Sequence, residues 1–487
     1  MAPVTLPGIG GATITIPYQT AQSTQAAMSL LQNVYLALRN ESLFQQIASA
    51  NTPPPPAGTL GELVIDGSLP NVSAPVGDAL IVDASPANPV TVAGSAQANE
   101  SVFAGSSDLT FYTDGGSGTI IGGDGNNLIA SPTSNGGSWD LDLQGVGSTT
   151  VFGGAANDEI LSANGRNLLF LGSGQDTVFS SGADTIVGGS GAETVATGAP
   201  QSWVFAGSGS ALLVNSGGAD TFSAGSGAET IFAGASGGLY FLNTSPNLIF
   251  ASIGAYANTI VGAAGNATVF GGSGSNLIFG NDENLVVNLQ SSAGTIVGGA
   301  GNTTVYAGTG GNQVMFQGSG ALLYDAQSST STLISNPNSP GAEIFASDGG
   351  SVALWGSNNG NTFIAGPGNV TLQGGGATGA NVYFAGTGAD VLVAGSGNDT
   401  LVAGTGDATM VGGAGRDQFV FINGAAGGSV LIENYNPSDQ LSLFGYGNSS
   451  IVSSQVMGGS LVLTLSDHTT ITLQGINPFS SAQVHEL

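Results

Sequence analysis

Acidic residues close short glycine-rich turns at a fixed interval in this chain. Asp399 ends the turn Gly-Ser-Gly-Asn-Asp, and Asp417 ends Gly-Ala-Gly-Arg-Asp 18 residues later. Asp158 and Asp176, in Gly-Ala-Ala-Asn-Asp and Gly-Ser-Gly-Gln-Asp, repeat that interval, and Asn381 stands 18 residues before Asp399 with a neutral amide. Asp390 lacks such a partner, because position 408 is Ala408 and the acid has moved to Asp407. Carboxylates brought together in pairs beside turn carbonyls suit a hard divalent cation. The competing chemistry is structural: Asp and Asn side chains also cap tight turns with no metal present.

The acids need elements that stack at the same period. From about residue 101 to 420 a nine-residue unit dominates, a short Thr-Ile-Val or Thr-Val-Phe strand followed by Gly-Gly-x-Gly-x, with clean copies beginning at Thr185, Thr259, Thr268, Thr295, Thr304, Thr362, Val391, Thr400 and Thr409. One unit holds one strand and one turn, so two units make an 18-residue coil of a β-solenoid. Strand alternation points the middle residue inward at Ile186, Val269, Ile296, Val305 and Leu401, and leaves Val187, Phe270, Val297, Tyr306 and Val402 outside. An outer row of large apolar residues predicts lateral packing, with Phe270, Tyr306 and Val402 as candidate assembly residues. In the middle coils the acid position has drifted to Glu193, Glu229, Asn276, Thr303 and Asn312, so cation sites are expected to be few there.

Composition narrows the function. The 487 residues include 82 glycines and no cysteine, and 3 Lys+Arg stand against 31 Asp+Glu for a net charge of −28. There is no lysine, which argues against a nucleic-acid groove or a polybasic membrane patch. No apolar run is long enough to span a membrane as a helix, and the N-terminus lacks the basic and apolar regions of a cleaved signal peptide.

Residues 21–48 carry the only sustained helical period, with Leu31, Val34 and Leu38 on its apolar face as a second candidate assembly surface. The expected organisation is an N-terminal arm and amphipathic helix over 1–50, a proline spacer over 51–59, an irregular β segment over 60–100, the solenoid over 101–420 and a β cap over 421–487. The fold class is all-β.

The unit resembles the repeats-in-toxin (RTX) calcium-binding β-roll, whose pattern is G-G-x-G-x-D-x-U-x, although many copies here are degenerate. The resemblance implies Ca2+ held by turn aspartates one coil apart, here Asp399, Asp417, Asp158 and Asp176 with Asn381 and Asp390 as weaker members, mainly towards the C-terminal end of the solenoid. The tail carrying Phe419, Phe421, Asn434, Tyr435 and Asp439-Gln440-Leu441-Ser442-Leu443 is similar to the segment that follows the roll in proteins exported by type I secretion. That likeness implies an exporter as partner and an extracellular or cell-surface location.

Catalytic signatures are sparse. His468 and His485 are the only histidines, H-E-x-x-H is absent, and the G-x-S-x-G match at 234–238 lies in a repeat turn rather than a strand-to-helix elbow. Asp140 and Asp142 beside Trp139 form the one local group suited to glycan chemistry. The sequence therefore predicts a non-enzymatic structural protein that assembles with itself into filaments or a surface layer. A polysaccharide-binding adhesin and a polysaccharide-modifying enzyme are the alternatives.

Overall fold

The computed structural model describes residues 4–7, 13–16 and 43–486, apart from 132–135, 200, 235, 245–247, 263, 281–283, 308, 310–311, 317–319, 328–330, 336–342, 348–351, 356–357, 359, 375–377, 448–449 and 477–483. Regular structure among these residues is β-strand, with no α-helix and hence no helix long and apolar enough to cross a membrane. Val4–Pro7 and Thr13–Ile16 form a small antiparallel pair. The chain divides into two compact units, residues 1–247 and 248–487.

Each unit is a parallel β-solenoid with two stacks of strands, visited alternately. In the first unit one stack includes Asp176–Ser180, Glu193–Thr197, Ala211–Asn215 and Glu229–Ala233, paired in parallel register with Glu193 opposite Ala211 and Ala211 opposite Glu229. The other includes Thr150–Phe152, Leu168–Phe170, Thr185–Val187 and Trp203–Phe205. In the second unit Val382 pairs with Thr400 and Thr400 with Gln418, an 18-residue step.

Side-chain alternation sets the core. Ile186, Val269, Ile296, Val305 and Leu401 all point inward and are fully buried. In the second unit the interior carries an aromatic column: Phe345 and Phe363 stack at 4.9 Å between ring centroids, and Phe363 and Tyr383 at 4.7 Å. β-branched and aromatic residues suit these pleated surfaces, and identical phasing coil after coil lets like side chains stack.

Glycine is required where turns of neighbouring coils approach. A Cβ on Gly172 would lie 1.5 Å from the Gly154 carbonyl oxygen, and one on Gly189 would lie 1.5 Å from that of Gly172. Backbone contact at this distance leaves no room for any other residue.

The helix expected over 21–48, with Leu31, Val34 and Leu38, falls outside the described residues as far as residue 42. Its last part is instead the strand Leu43–Ile47, paired in parallel with Leu60–Ile65. Gln45 donates to Glu62 and Gln46 Nε2 to Asp78 Oδ2 at 2.8 Å, contacts that hold the segment extended on the stack. The proline run connects these two neighbouring strands. Residues 60–100 stack in the same parallel manner, through Asp78–Asp83 and Glu100–Phe103. In the second unit the parallel stack runs on through Gln418–Ile422 to Gln440–Phe444, and Ile451–Met457, Ser460–Leu465 and Thr470–Leu473 then form an antiparallel cap.

Candidate metal centres in the turn ladders

At six of these turns the closing residue tucks its side chain under the stack. Asp158, Asp176, Asp390, Asp399, Asp417 and Asn381 are all buried, so none of them is a solvated surface charge. In the second unit they form a ladder. Asn361 N–H donates to Asn381 Oδ1 at 2.9 Å, Asn381 N–H to Asp399 Oδ1 at 2.7 Å, Asp399 N–H to Asp417 Oδ1 at 2.9 Å, and Asp417 N–H to Asp439 Oδ1 at 3.0 Å. In the first unit Trp139 N–H donates to Asp158 Oδ1 and Asp158 N–H to Asp176 Oδ1, at 2.8 and 2.9 Å. At every rung a backbone N–H finds its acceptor in a side-chain oxygen one coil on, the amide of Asn381 or the carboxylate of an aspartate.

The structure thus brings together Asp399 with Asp417, Asp158 with Asp176, and Asn381 with Asp399. Asp390 belongs to the other stack, where its register partner one coil on is Ala408. Both its oxygens are engaged, Oδ1 by Val370 N–H at 3.0 Å and Oδ2 by Gly386 N–H at 2.7 Å. It caps its turn without a second acid.

Two acids follow a ladder acid at a spacing other than 18. Asp439 follows Asp417 by 22 residues, because the intervening coil is longer, yet it occupies the same rung. Glu193 follows Asp176 by 17 and pairs with it in register. The turn Asn436-Pro437-Ser438-Asp439 was the available signal for the first, since Asn436 N–H caps Asp439 Oδ2 at 2.7 Å.

Burial without a counter-ion governs the electrostatics. Burial pushes the carboxyl of Asp417 up to about 7, with the charges of Asp439 and Asp399 adding to the rise. Asp158 is likewise raised to about 7, by burial first and by Asp176 and Asp140 in addition, and burial raises Glu193 to about 7. Asp176, Asp399 and Asp439 shift upward for the same leading reason. Asp176 Oδ2, Asp417 Oδ2 and Glu193 Oε2 are buried with no hydrogen-bond partner. A buried acceptor facing no donor carries its full desolvation penalty.

A cation fits this deficit. The space beside Asp417 Oδ2 exists because residue 412 is glycine, whose Cβ would sit 2.7 Å from that oxygen. Among the described residues no three acidic or histidine side chains converge, so carboxylates come at most in ladder pairs and turn carbonyls would complete an oxygen cage. An oxygen-only donor set with paired negative charge matches a hard divalent ion.

The group around Trp139 has a different geometry. Trp139 is buried edge-on against Phe111, with ring centroids 5.6 Å apart. Asp142 is buried and accepts from Gln144 at 2.8 Å, whereas Asp140 faces outward from the same strand.

Comparison with known proteins bears on the repeats. Residues 144–178, 180–199, 205–236, 252–284, 355–378, 376–410 and 384–419 match the model of the RTX calcium-binding nonapeptide repeat (4 copies). Among solved structures, the crystal structure of the extracellular lipase LipA from Serratia marcescens is similar over 44% of this chain and 40% of its own, at 18% identity and a TM-score of 0.20. The chain therefore spans well under half of that lipase. A search of the curated proteins gave no match. RTX nonapeptide repeats bind Ca2+ and are typical of secreted extracellular proteins. The chain carries RTX calcium-binding nonapeptide repeats, folded as a parallel β-solenoid.

Proposed function

We propose that this is an extracellular structural protein that associates with further copies of itself, with calcium closing its acidic turns. The observation that carries this reading is the outer surface of the strands. Phe152, Phe170, Val187 and Phe205 follow one another in register along one stack of the first unit. Phe152 and Phe170 stack at 4.9 Å, and Phe152 is 43% exposed. In the second unit Ile364, Phe384 and Val402 form one outer row, and Phe270 and Tyr306 flank Asn288 in another. Large apolar side chains repeated in line on a soluble chain of high net charge fit a partner surface with the same period.

Calcium belongs to the Asp399–Asp417 and Asp158–Asp176 pairs in this reading. With a net charge of −28, copies repel one another until cations neutralise part of that charge. Export would use a type I exporter that reads the C-terminal cap. The protein is not an enzyme here, and the faces rather than a cleft perform its task.

Electron microscopy of the purified full chain, with calcium and with excess chelator, tests the proposal. Ordered fibres or sheets in calcium, dispersing in chelator, are expected. Dispersed monomers in both conditions would overturn it. A polysaccharide-binding role is the second reading, favoured by Trp203 and Phe205, whose rings lie 6.1 Å apart on the outer face and which are 53% and 37% exposed. Saturable glycan binding by monomers that never assemble would favour that role.

A further inference from the structure

We propose that asparagine at a ladder position does the work of the cation, so that the Asn coils are closed permanently and calcium is awaited only by acidic coils whose second carboxylate oxygen finds no donor, such as those of Asp176, Glu193 and Asp417. This rests on the calcium reading above for the acidic coils, but the geometry that leads to it lies in the other turns. Asn276 is buried, and its Oδ1 accepts the Asn258 N–H at 3.2 Å, as a ladder aspartate would. Its Nδ2 turns back into its own turn and donates to the carbonyls of Gly271 and Gly274 at 2.7 and 3.2 Å. Asn127 repeats the arrangement: Oδ1 accepts Leu109 N–H at 3.0 Å, and Nδ2 donates to Gly125 O at 3.1 Å and reaches Gly123 O at 3.5 Å. Asn167 accepts Thr149 N–H at 2.7 Å and donates to Asn164 O at 2.8 Å.

Asp417 makes the first half of this pattern and lacks the second. Its Oδ1 accepts Asp399 N–H, while its Oδ2 lies buried against Gly412 with no donor. Where Asn places two N–H donors among turn carbonyls, Asp417 places a further acceptor and a negative charge with no donor to meet them. Something positive must enter, or a proton must bind. The amide supplies the positive end of a dipole at no net charge. The drift from Asp to Asn along the repeats is then an exchange of one turn closure for another, and the mixture of rungs sets how much of each unit orders without calcium.

Reciprocal substitutions in the full-length chain test this. Thermal unfolding is followed in excess chelator and in calcium chloride for the wild type, Asp417→Asn, Asp417→Ala and Asn276→Asp. In chelator, D417N is expected to melt a few degrees above the wild type and D417A below it. D417N also loses part of the calcium-dependent rise. N276D is expected to melt lower than the wild type in chelator and to gain a larger rise in calcium. The proposal is overturned if D417N melts as low as D417A in chelator, or if N276D gains nothing from calcium while the wild type does. If calcium leaves the wild type unchanged, the calcium reading itself fails, and the chelator comparison of D417N with D417A alone decides the amide exchange.

Discussion

Asp417 lies one coil beyond Asp399, and its Oδ1 accepts the Asp399 N–H at 2.9 Å. This single contact gives the side chain two duties, since the same carboxylate that ties neighbouring coils also presents an unpartnered oxygen to its own turn. Truncating it removes the tie and orphans a buried N–H. Such a loss costs about 1–3 kcal/mol per site. Asp399→Ala with Asp417→Ala is expected to lower the melting temperature of the second unit in calcium and to shrink the difference between calcium and chelator. An unchanged calcium-dependent difference would remove these residues from the metal sites.

The pH response follows from the raised carboxyls. Asp158, Glu193 and Asp417 titrate near 7 in the folded protein, against about 4 in an unfolded chain. The folded state holds these protons more tightly, so between about pH 4 and 7 it binds more protons than the unfolded state and its stability falls as pH rises. In chelator the melting temperature is expected to drop across that window and level off above it. Calcium at pH 8 should restore part of the loss. A flat profile in chelator would mean that these groups are not buried as charges.

Gly172 tolerates no side chain in its turn column. Gly172→Ala places a Cβ 1.5 Å from Gly154 O, backbone that cannot move without shifting a coil, and a loss above about 4 kcal/mol or failure to fold is expected. Gly198→Ala is the control, with its nearest neighbours at 3.7 Å. Its stability should stay close to the wild type. Equal behaviour of the two variants in urea unfolding would contradict the stacked-turn geometry.

Much of this architecture was legible in the sequence, because the nine-residue period states both the strand phase and the turn. The inward set of Ile186, Val269, Ile296, Val305 and Leu401 follows from alternation alone. Legibility fails where coils change length. Leu80 pairs with Ser101 and Ile120 with Leu141, both 21 apart, and a bulge follows Gly61. A stack requires only that strand phase be kept, while loops absorb the difference, so residues 60–100 look irregular in sequence yet pair in parallel. Leu43–Ile47 misled for another reason: five residues with Phe44 and Ile47 three apart fit a helix period, and only the pairing with Leu60–Ile65 makes them a strand. Asp439 was hidden by the same longer coil. The buried state of the ladder acids was not legible at all, because a turn carboxylate that bonds to the coil before it leaves no trace in local sequence.

The interior aromatic column bears on the second unit's stability. Phe363 lies between Phe345 and Tyr383, with stacked rings on both sides. Phe363→Ala is expected to cost about 3–5 kcal/mol in urea unfolding. A change below about 1 kcal/mol would show that the column is not packed as described.

The outer face should respond in the opposite way. Phe152→Ser with Phe170→Ser removes a stacked pair from the surface and leaves the interior untouched. Assembly in calcium is expected to weaken while the melting temperature stays near that of the wild type. Assembly of the double variant at wild-type concentration would exclude this row as the contact.

The central claim is that the buried turn carboxylates take up calcium, and calorimetric titration of calcium into metal-stripped full-length protein tests it most directly. Run beside Asp399→Asn with Asp417→Asn, the wild type is predicted to bind saturably and with more sites than the variant. Equal binding by both proteins, or no saturable binding by the wild type, would contradict it.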